Sequence, residues 1–259
     1  MTNLERQPWV RYAMPWAALA LFFVVWELFC IVSGVEELIL PRPSRVFEVM
    51  VQKHHAVTVY CLRTLWTTII GFLLAIGFGL VLGVAIGASP LVYSGLYPLL
   101  IAFNAIPKVA IVPILVIWMG VGWKPAVTTA FAISFFPIVV NVATGLATIE
   151  PEMRDVMRSL GASRLEILTK IGIPRSMPYL FASLKVAITL AFIGSVIAET
   201  LAGNGGVGYL MLTASQQNDA PLTFAGLFAV AVMGIVMYAG CALIEGRMTR
   251  WAFRGELVQ

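Results

Sequence analysis

Six stretches of this chain show no regular exchange of apolar and polar positions: Pro15 to Ser33, Thr64 to Gly87, Pro98 to Met119, Ala126 to Leu146, Pro178 to Thr200 and Leu222 to Ile244. Each is about as long as a membrane crossing at roughly 1.5 Å per residue. None has the two-residue alternation of a barrel strand. Backbone groups in hydrocarbon must be satisfied within their own segment, so the pattern predicts six transmembrane helices and an all-α membrane protein. Residues 1–14 read as a short terminal segment and residues 15–259 as one transmembrane domain. Pro15 to Ser33 is too long for a signal-peptide core and has no small-residue cleavage site, so it reads as a retained span.

Composition agrees with that pattern. The chain is 60% hydrophobic and 12% charged, against about a quarter charged in soluble domains. A net charge of +4 makes nucleic-acid binding a poor use of the basic residues. The three cysteines, Cys30, Cys61 and Cys241, have no metal-ligand spacing and form no disulfide framework.

The distribution of charge gives an orientation. Six crossings place both termini on one side, with Arg6, Arg11, Arg154, Arg158, Arg164, Lys170, Arg175, Arg247, Arg250 and Arg254. The other side has Arg42, Arg45, Lys53, Arg63 and Lys124. The positive-inside rule therefore puts both termini and residues 147–177 in the cytoplasm.

Within the spans, Gly79, Gly83 and Gly87 recur every four residues beside Gly71 and Gly77, so one helix face lacks side chains. Packing inside the chain is favoured for that face over a subunit interface. Pro107, Pro113 and Pro137 remove backbone donors and predict kinks or unwinding, a common feature of transport pathways. Charges in spans are costly and select candidates. Lys108 has two readings: a cation lining a pathway for an anion, or a structural lysine paired with Glu27 or with carbonyls freed by proline. Lys185 lies near a span end and is expected to snorkel. Glu199, at the outer end of the fifth span, either shapes an outer gate or sits in the interface. Lys108, Asn104, Asn141 and Glu199 are the candidate pathway residues.

The loop from Ala147 to Met177 is the most informative stretch. Met153, Val156, Met157 and Leu160 have helical spacing; Gly161 is suited to end that helix left-handed and Ser163 to cap a second one. Leu165, Leu168 and Ile171 share a face, and Pro174 is expected to stop the second helix. The periodicity alone fits either an interfacial hairpin without a partner or a docking element.

This loop resembles the EAA loop of ABC-importer permeases, in which Glu-Ala-Ala, three residues, Gly, nine residues and Ile-x-Leu-Pro follow one another. Gly161 is followed by nine residues and then Ile171-Gly172-Ile173-Pro174. Asp155-Val156-Met157 stands where Glu-Ala-Ala is expected, and Ile173 stands where Leu is expected. Leu40-Pro-Arg-Pro-Ser, Ile106-Pro-Lys-Val-Ala, Trp118-Met-Gly and Ala198-Glu-Thr with Gly206-Val-Gly-Tyr are similar to the nitrate, sulfonate, taurine and bicarbonate permeases.

The resemblance implies a type I importer fold and a pair of permease copies, most simply a homodimer. It also implies two separate ATPase subunits and a periplasmic or lipid-anchored binding protein. Asp155, Arg158, Leu160, Gly161, Ala162, Ser163, Arg164, Leu165, Ile171 and Pro174 would form the coupling loop. The solute would be a small anion such as nitrate, a sulfonate, taurine or bicarbonate, with an uncharged pyrimidine or vitamin precursor as the alternative. No Gly-x-x-x-x-Gly-Lys-[Ser/Thr] occurs in the chain, so ATP and magnesium are expected on the partner, and no cofactor or metal on this chain.

Rival readings carry less. Gly203-Asn-Gly-Gly-Val-Gly208 fits a dinucleotide pattern, but a membrane helix precedes it where a strand is required, so it reads as a flexible turn. His54-His55 has no ligand partners nearby, and no catalytic constellation can be assembled, so no enzyme is expected. An ion-coupled secondary transporter would show inverted repeats, and the chain has none that convinces.

Overall fold

The computed structural model describes residues 8–147 and 150–248. Arg6, Arg250 and Arg254 of the charge count, and Thr148 and Ile149 of the loop, lie outside the described residues, as do the side chains of Arg11 and Arg164. The described residues are almost wholly helical. In order they form α1 (Pro8–Ser33), α2 (Pro43–Gln52), α3 (His54–Gly87), α4 (Pro90–Ala105), a 3-10 turn (Lys108–Ile111), α5 (Val112–Met119) and α6 (Trp123–Ala147). After these come α7 (Pro151–Ser159), α8 (Arg164–Ile167), a π turn (Leu168–Gly172), α9 (Ile173–Ala202), α10 (Val207–Gln216) and α11 (Ala220–Met248).

Five helices are long and apolar enough to cross a membrane. The expected third span, Pro98 to Met119, is not one of them. It is a pair of shorter helices bent by 71° at Ile106 and Pro107. Pro107 cannot donate a backbone hydrogen bond, and it disfavours helical geometry at the residue before it. Ile106 is accordingly extended, at φ −67° and ψ 125°. Pro113 sits in the first turn of α5, where no donor is needed. Pro137, by contrast, leaves α6 continuous.

The glycine face decides whether the bent pair crosses or turns back. A Cβ on Gly71 would fall 2.6 Å from the Ala130 Cβ, one on Gly79 would fall 2.8 Å from Ile138, and one on Gly83 would fall 2.7 Å from Val142. One on Gly87 would fall 2.8 Å from Leu146. Every pair is 59 positions apart (71 to 130, 79 to 138, 83 to 142, 87 to 146), so α3 and α6 run parallel. Two parallel neighbours in a membrane need a full return crossing between them. The bent pair from Leu91 to Met119 is therefore a broken span, and the crossings among the described residues number six. The glycines serve packing within the chain, the reading favoured above.

Helix α9 runs antiparallel to α6. Gly194 lies against Thr129 and Ala130 at one end, and Gly145 against Ser176 at the other. Phe72, Ala75, Ile138, Val139, Ala143, Ala187 and Ala191 fill the seam of α3, α6 and α9, the main core. Small residues allow that closeness, because lipid offers no hydrophobic drive for helix association and packing must supply it. Helix α11 packs antiparallel on α9, with Lys185 bonded to Glu245 at 2.6 Å. That ion pair gives Lys185 a partner near the end of α11. Helix α1 lies at the edge, held by Phe23 and Trp26 against Phe47 of α2 and Phe228 of α11.

Two helices were not anticipated. Helix α2 begins with Pro43 in its first turn and buries Val46 and Val49. Helix α10 buries Val207, Leu210 and Ala214. His54 opens α3 and is exposed, with Nδ1 2.9 Å from the Val51 carbonyl.

Candidate functional site

The loop after α6 forms a helix-turn-helix where α3 and α6 end. Helix α7 closes as its sequence predicts: Gly161 takes φ +80°, and the amides of Gly161 and Ala162 bond the Arg158 and Met157 carbonyls at 2.9 and 3.0 Å. Ser163 and Glu166 then form a reciprocal capping box. The Glu166 amide donates to Ser163 Oγ at 3.2 Å, and the Ser163 amide donates to Glu166 Oε2 at 2.9 Å. Arg175 ties the loop to α9 by an ion pair with Glu150 at 3.3 Å.

Pro174 does not stop the second helix. The chain continues helical from Leu165 to Ala202, 38 residues. Pro174 has no amide to give the Lys170 carbonyl and its ring would crowd it. The preceding segment widens into the π turn, with the Ile173 amide bonded to the Leu168 carbonyl. Ile171 and Pro174 thus belong to the stem and are half-buried.

The tip contrasts with the stem. Leu160 is 77% exposed, Leu165 68% and Val156 59%. A Cβ on Gly161 would meet nothing within 4 Å. Asp155 and Arg158 pair with each other at 3.6 Å. An exposed cluster of aliphatic residues on a polar loop marks an interaction surface. Val156, absent from the coupling residues expected from the resemblance, joins this surface through its four-residue spacing to Leu160.

The candidate pathway residues separate into three places. Lys108, in the 3-10 turn at the break, donates to the Asn104 Oδ1 at 2.7 Å and to the Asn104 carbonyl at 3.0 Å. Its Nζ also stands 5.9 Å from the Phe136 ring centre. Glu27 is not its partner: that carboxylate accepts from the Ser44 amide and hydroxyl at 3.0 and 2.8 Å. Asn141 bonds the Pro137 carbonyl of its own helix at 2.8 Å. Glu199 lies elsewhere, level with Ala126, roughly 15 Å along the axis from Phe136 at about 1.5 Å per residue.

Glu199 is 5% exposed and held by hydroxyls. It accepts from Thr64 at 2.7 Å, Thr67 at 3.2 Å and Ser195 at 3.4 Å, and from the Gly208 amide at 3.3 Å. The Val207 amide donates to Thr64 Oγ1 at 2.8 Å. The segment 203–208 is accordingly a fixed connection bound to Glu199, not a flexible turn. Outside this knot a cavity of about 340 Å³ is lined by Arg63, Trp66, Trp123 and Asn204. No cluster of three metal-ligating side chains occurs among the described residues.

Comparison with known proteins places this arrangement. The pattern of the family described as "Binding-protein-dependent transport system inner membrane component" matches residues 75–250. The chain is 31% identical to the riboflavin transport system permease protein RibX of Chloroflexus aurantiacus, over 96% of this chain and 93% of that one. It is 28% identical to the formylaminopyrimidine transport permease protein ThiX of Halalkalibacterium halodurans, over 89% and 92%. It is 25% identical to the taurine transport system permease protein TauC of Escherichia coli, over 90% and 87%. Permeases named for aliphatic sulfonates and for nitrate import are further relatives. An inward-facing structure of the MetNI methionine ABC transporter shares the fold, with a TM-score of 0.61 at 18% identity, covering 71% of this chain and 92% of that one.

Proposed function

The chain belongs to the binding-protein-dependent transport system inner membrane components, the permease subunits of ABC importers, and from that premise we propose how it is powered and what it carries. Two copies enclose the pathway, and a separate ATPase docks on the tip formed by Val156, Leu160, Gly161 and Leu165. A binding protein delivers solute at the opposite end, beside Arg63 and Asn204. The tip faces the cytoplasm, with both termini, because the loop and the termini carry most of the cations. ATP binding brings the docked ATPases together, and the stem of each loop passes that movement into α9, a two-state switch biased from outside the membrane.

The observation that carries this reading is the bare aliphatic tip on a loop whose stem is fixed by the capping box and by Arg175. The test is copurification of the chain with a Walker-motif ATPase from the cells that express it. The wild type is expected to retain the ATPase. Gly161→Arg, which places a charge and a strained φ at the tip, should lose it while still inserting. Normal assembly of that variant would end the proposal.

For the solute we favour a small anion, the class named for the taurine, sulfonate and nitrate relatives. Lys108 supports it: two of its three protons are used on Asn104, and no carboxylate pairs with it among the described residues. The riboflavin and formylaminopyrimidine relatives favour an uncharged heterocycle as the second reading. Uptake of labelled taurine, nitrate, riboflavin and a formylaminopyrimidine into cells expressing the complete transporter separates the two.

A further inference from the structure

Helix α7 has two faces with different chemistry. Val156 and Leu160, four apart, point away from the membrane domain and are exposed. Arg154 and Arg158, also four apart, share the other side. They border a cleft of about 750 Å³ between the loop and the ends of the spans. Its remaining wall is almost wholly apolar: Ala88 and Leu91 where α3 passes into α4, Leu146 at the end of α6, and Leu165 and Leu168. No acidic side chain lines it among the described residues. The Arg154 side chain is half-buried and makes no hydrogen bond or ion pair among the described residues. Arg158 gives one nitrogen to Asp155 at 3.6 Å and keeps its other donors.

We propose that this cleft binds an anionic phospholipid, with the phosphate on Arg154 and Arg158 and the start of an acyl chain along Leu91, Leu146 and Leu168. Two guanidiniums over an aliphatic wall, at the level where two spans leave the hydrocarbon, match a headgroup above its chain. Basic pockets of this kind between membrane helices suit such lipids. A free phosphate would use the arginines and leave the apolar wall wet. A zwitterionic lipid would bring its choline against two cations. The proposal rests on the loop lying at a membrane surface, and it stands or falls independently of ATPase docking on the opposite face of α7.

The test is native mass spectrometry of the full chain, delipidated in detergent and titrated with phosphatidylglycerol or phosphatidylcholine. Phosphatidylglycerol should bind at least about tenfold more tightly. Arg154→Gln with Arg158→Gln should weaken it roughly 20- to 30-fold, about fivefold for each arginine at a membrane surface, with phosphatidylcholine unchanged. Arg154→Lys with Arg158→Lys should recover most of the affinity and shows that loss follows charge, not misfolding. Excess inorganic phosphate should not displace the lipid. Equal binding of the two lipids by the wild type, full phosphatidylglycerol binding by the double glutamine variant, or displacement by phosphate would each overturn the assignment.

Discussion

The carboxylate of Glu199 occupies the space that a side chain on Gly206 would need. Gly206 also has φ +86°, a conformation that L-residues adopt at a cost. The connection from α9 to α10 is thus shaped around one acid, and the acid is satisfied by hydroxyls on α3 and α9.

Gly206→Ala is therefore expected to destabilise by roughly 2–4 kcal/mol, combining overpacking with the strained φ. Thr64→Val removes both the donor to Glu199 and the acceptor of the Val207 amide, and should cost about 2–4 kcal/mol for two buried groups left unpaired. Thr64→Ser should recover most of it. Thermal unfolding in detergent, followed by size-exclusion fluorescence, reads all three. Wild-type stability of Gly206→Ala would contradict the packing described.

The seam between α3 and α6 gives a paired comparison within one helix. Gly83→Leu drives a side chain into Val142 and should prevent a folded monomer or cost about 3 kcal/mol. Gly77→Leu points where nothing lies within 4 Å and should change stability by no more than about 0.5 kcal/mol. The same unfolding assay compares them, and equal effects would remove the seam from the account.

Lys108→Met should abolish anion uptake by the complete transporter, with Lys108→Arg retaining part of it. Assembly with the ATPase should be unchanged in both, since the break lies far from the tip. Labelled taurine or nitrate uptake measures the outcome, and full uptake by Lys108→Met would end a pathway role.

Asp219 links α11 to the start of α3. Burial raises its pKa, but the Lys53 ammonium at 2.7 Å and the Leu222 amide at 3.0 Å outweigh this, so it lies below the usual carboxylate range. The stability it contributes is complete above the unfolded value near pH 4 and is lost as pH falls through the lower folded value. The pair is partly exposed, so about 0.5–1 kcal/mol is at stake, with roughly 1 kcal/mol more from the lost cap in Asp219→Ala. Melting curves at pH 7 and pH 3 should show Asp219→Ala destabilised at the first and closer to wild type at the second.

Local, periodic features were legible in the sequence. The long apolar runs, the glycine spacing, the left-handed Gly161 and the cap at Ser163 each depend on residues a few positions apart. What escaped depends on partners far along the chain or on conflicting signals. Glu245 answers Lys185 from 60 positions away, so no local rule finds that pair. Helices α2 and α10 each follow a Pro- or Gly-rich segment that reads as loop, and their apolar faces are only ten residues long. Pro174 usually ends a helix, and here the π turn absorbs it. At the site, the aliphatic tip was visible as a spaced pattern, whereas the Glu199 knot and the arginine-edged cleft exist only once three or more segments meet.

The constant separation of 59 between α3 and α6 also constrains how this chain can change in length. One residue added between Gly71 and Gly79 would rotate the later glycines by about 100° out of the seam and set bulky neighbours against Ile138 and Val142. The same holds for α6 between Ala130 and Leu146. Residues 88–122 have no such phase to keep with the seam, and insertions or deletions are expected to collect at the ends of the broken span. Two helices meshed at fixed pitch leave the connection between them as the part of the chain open to resizing.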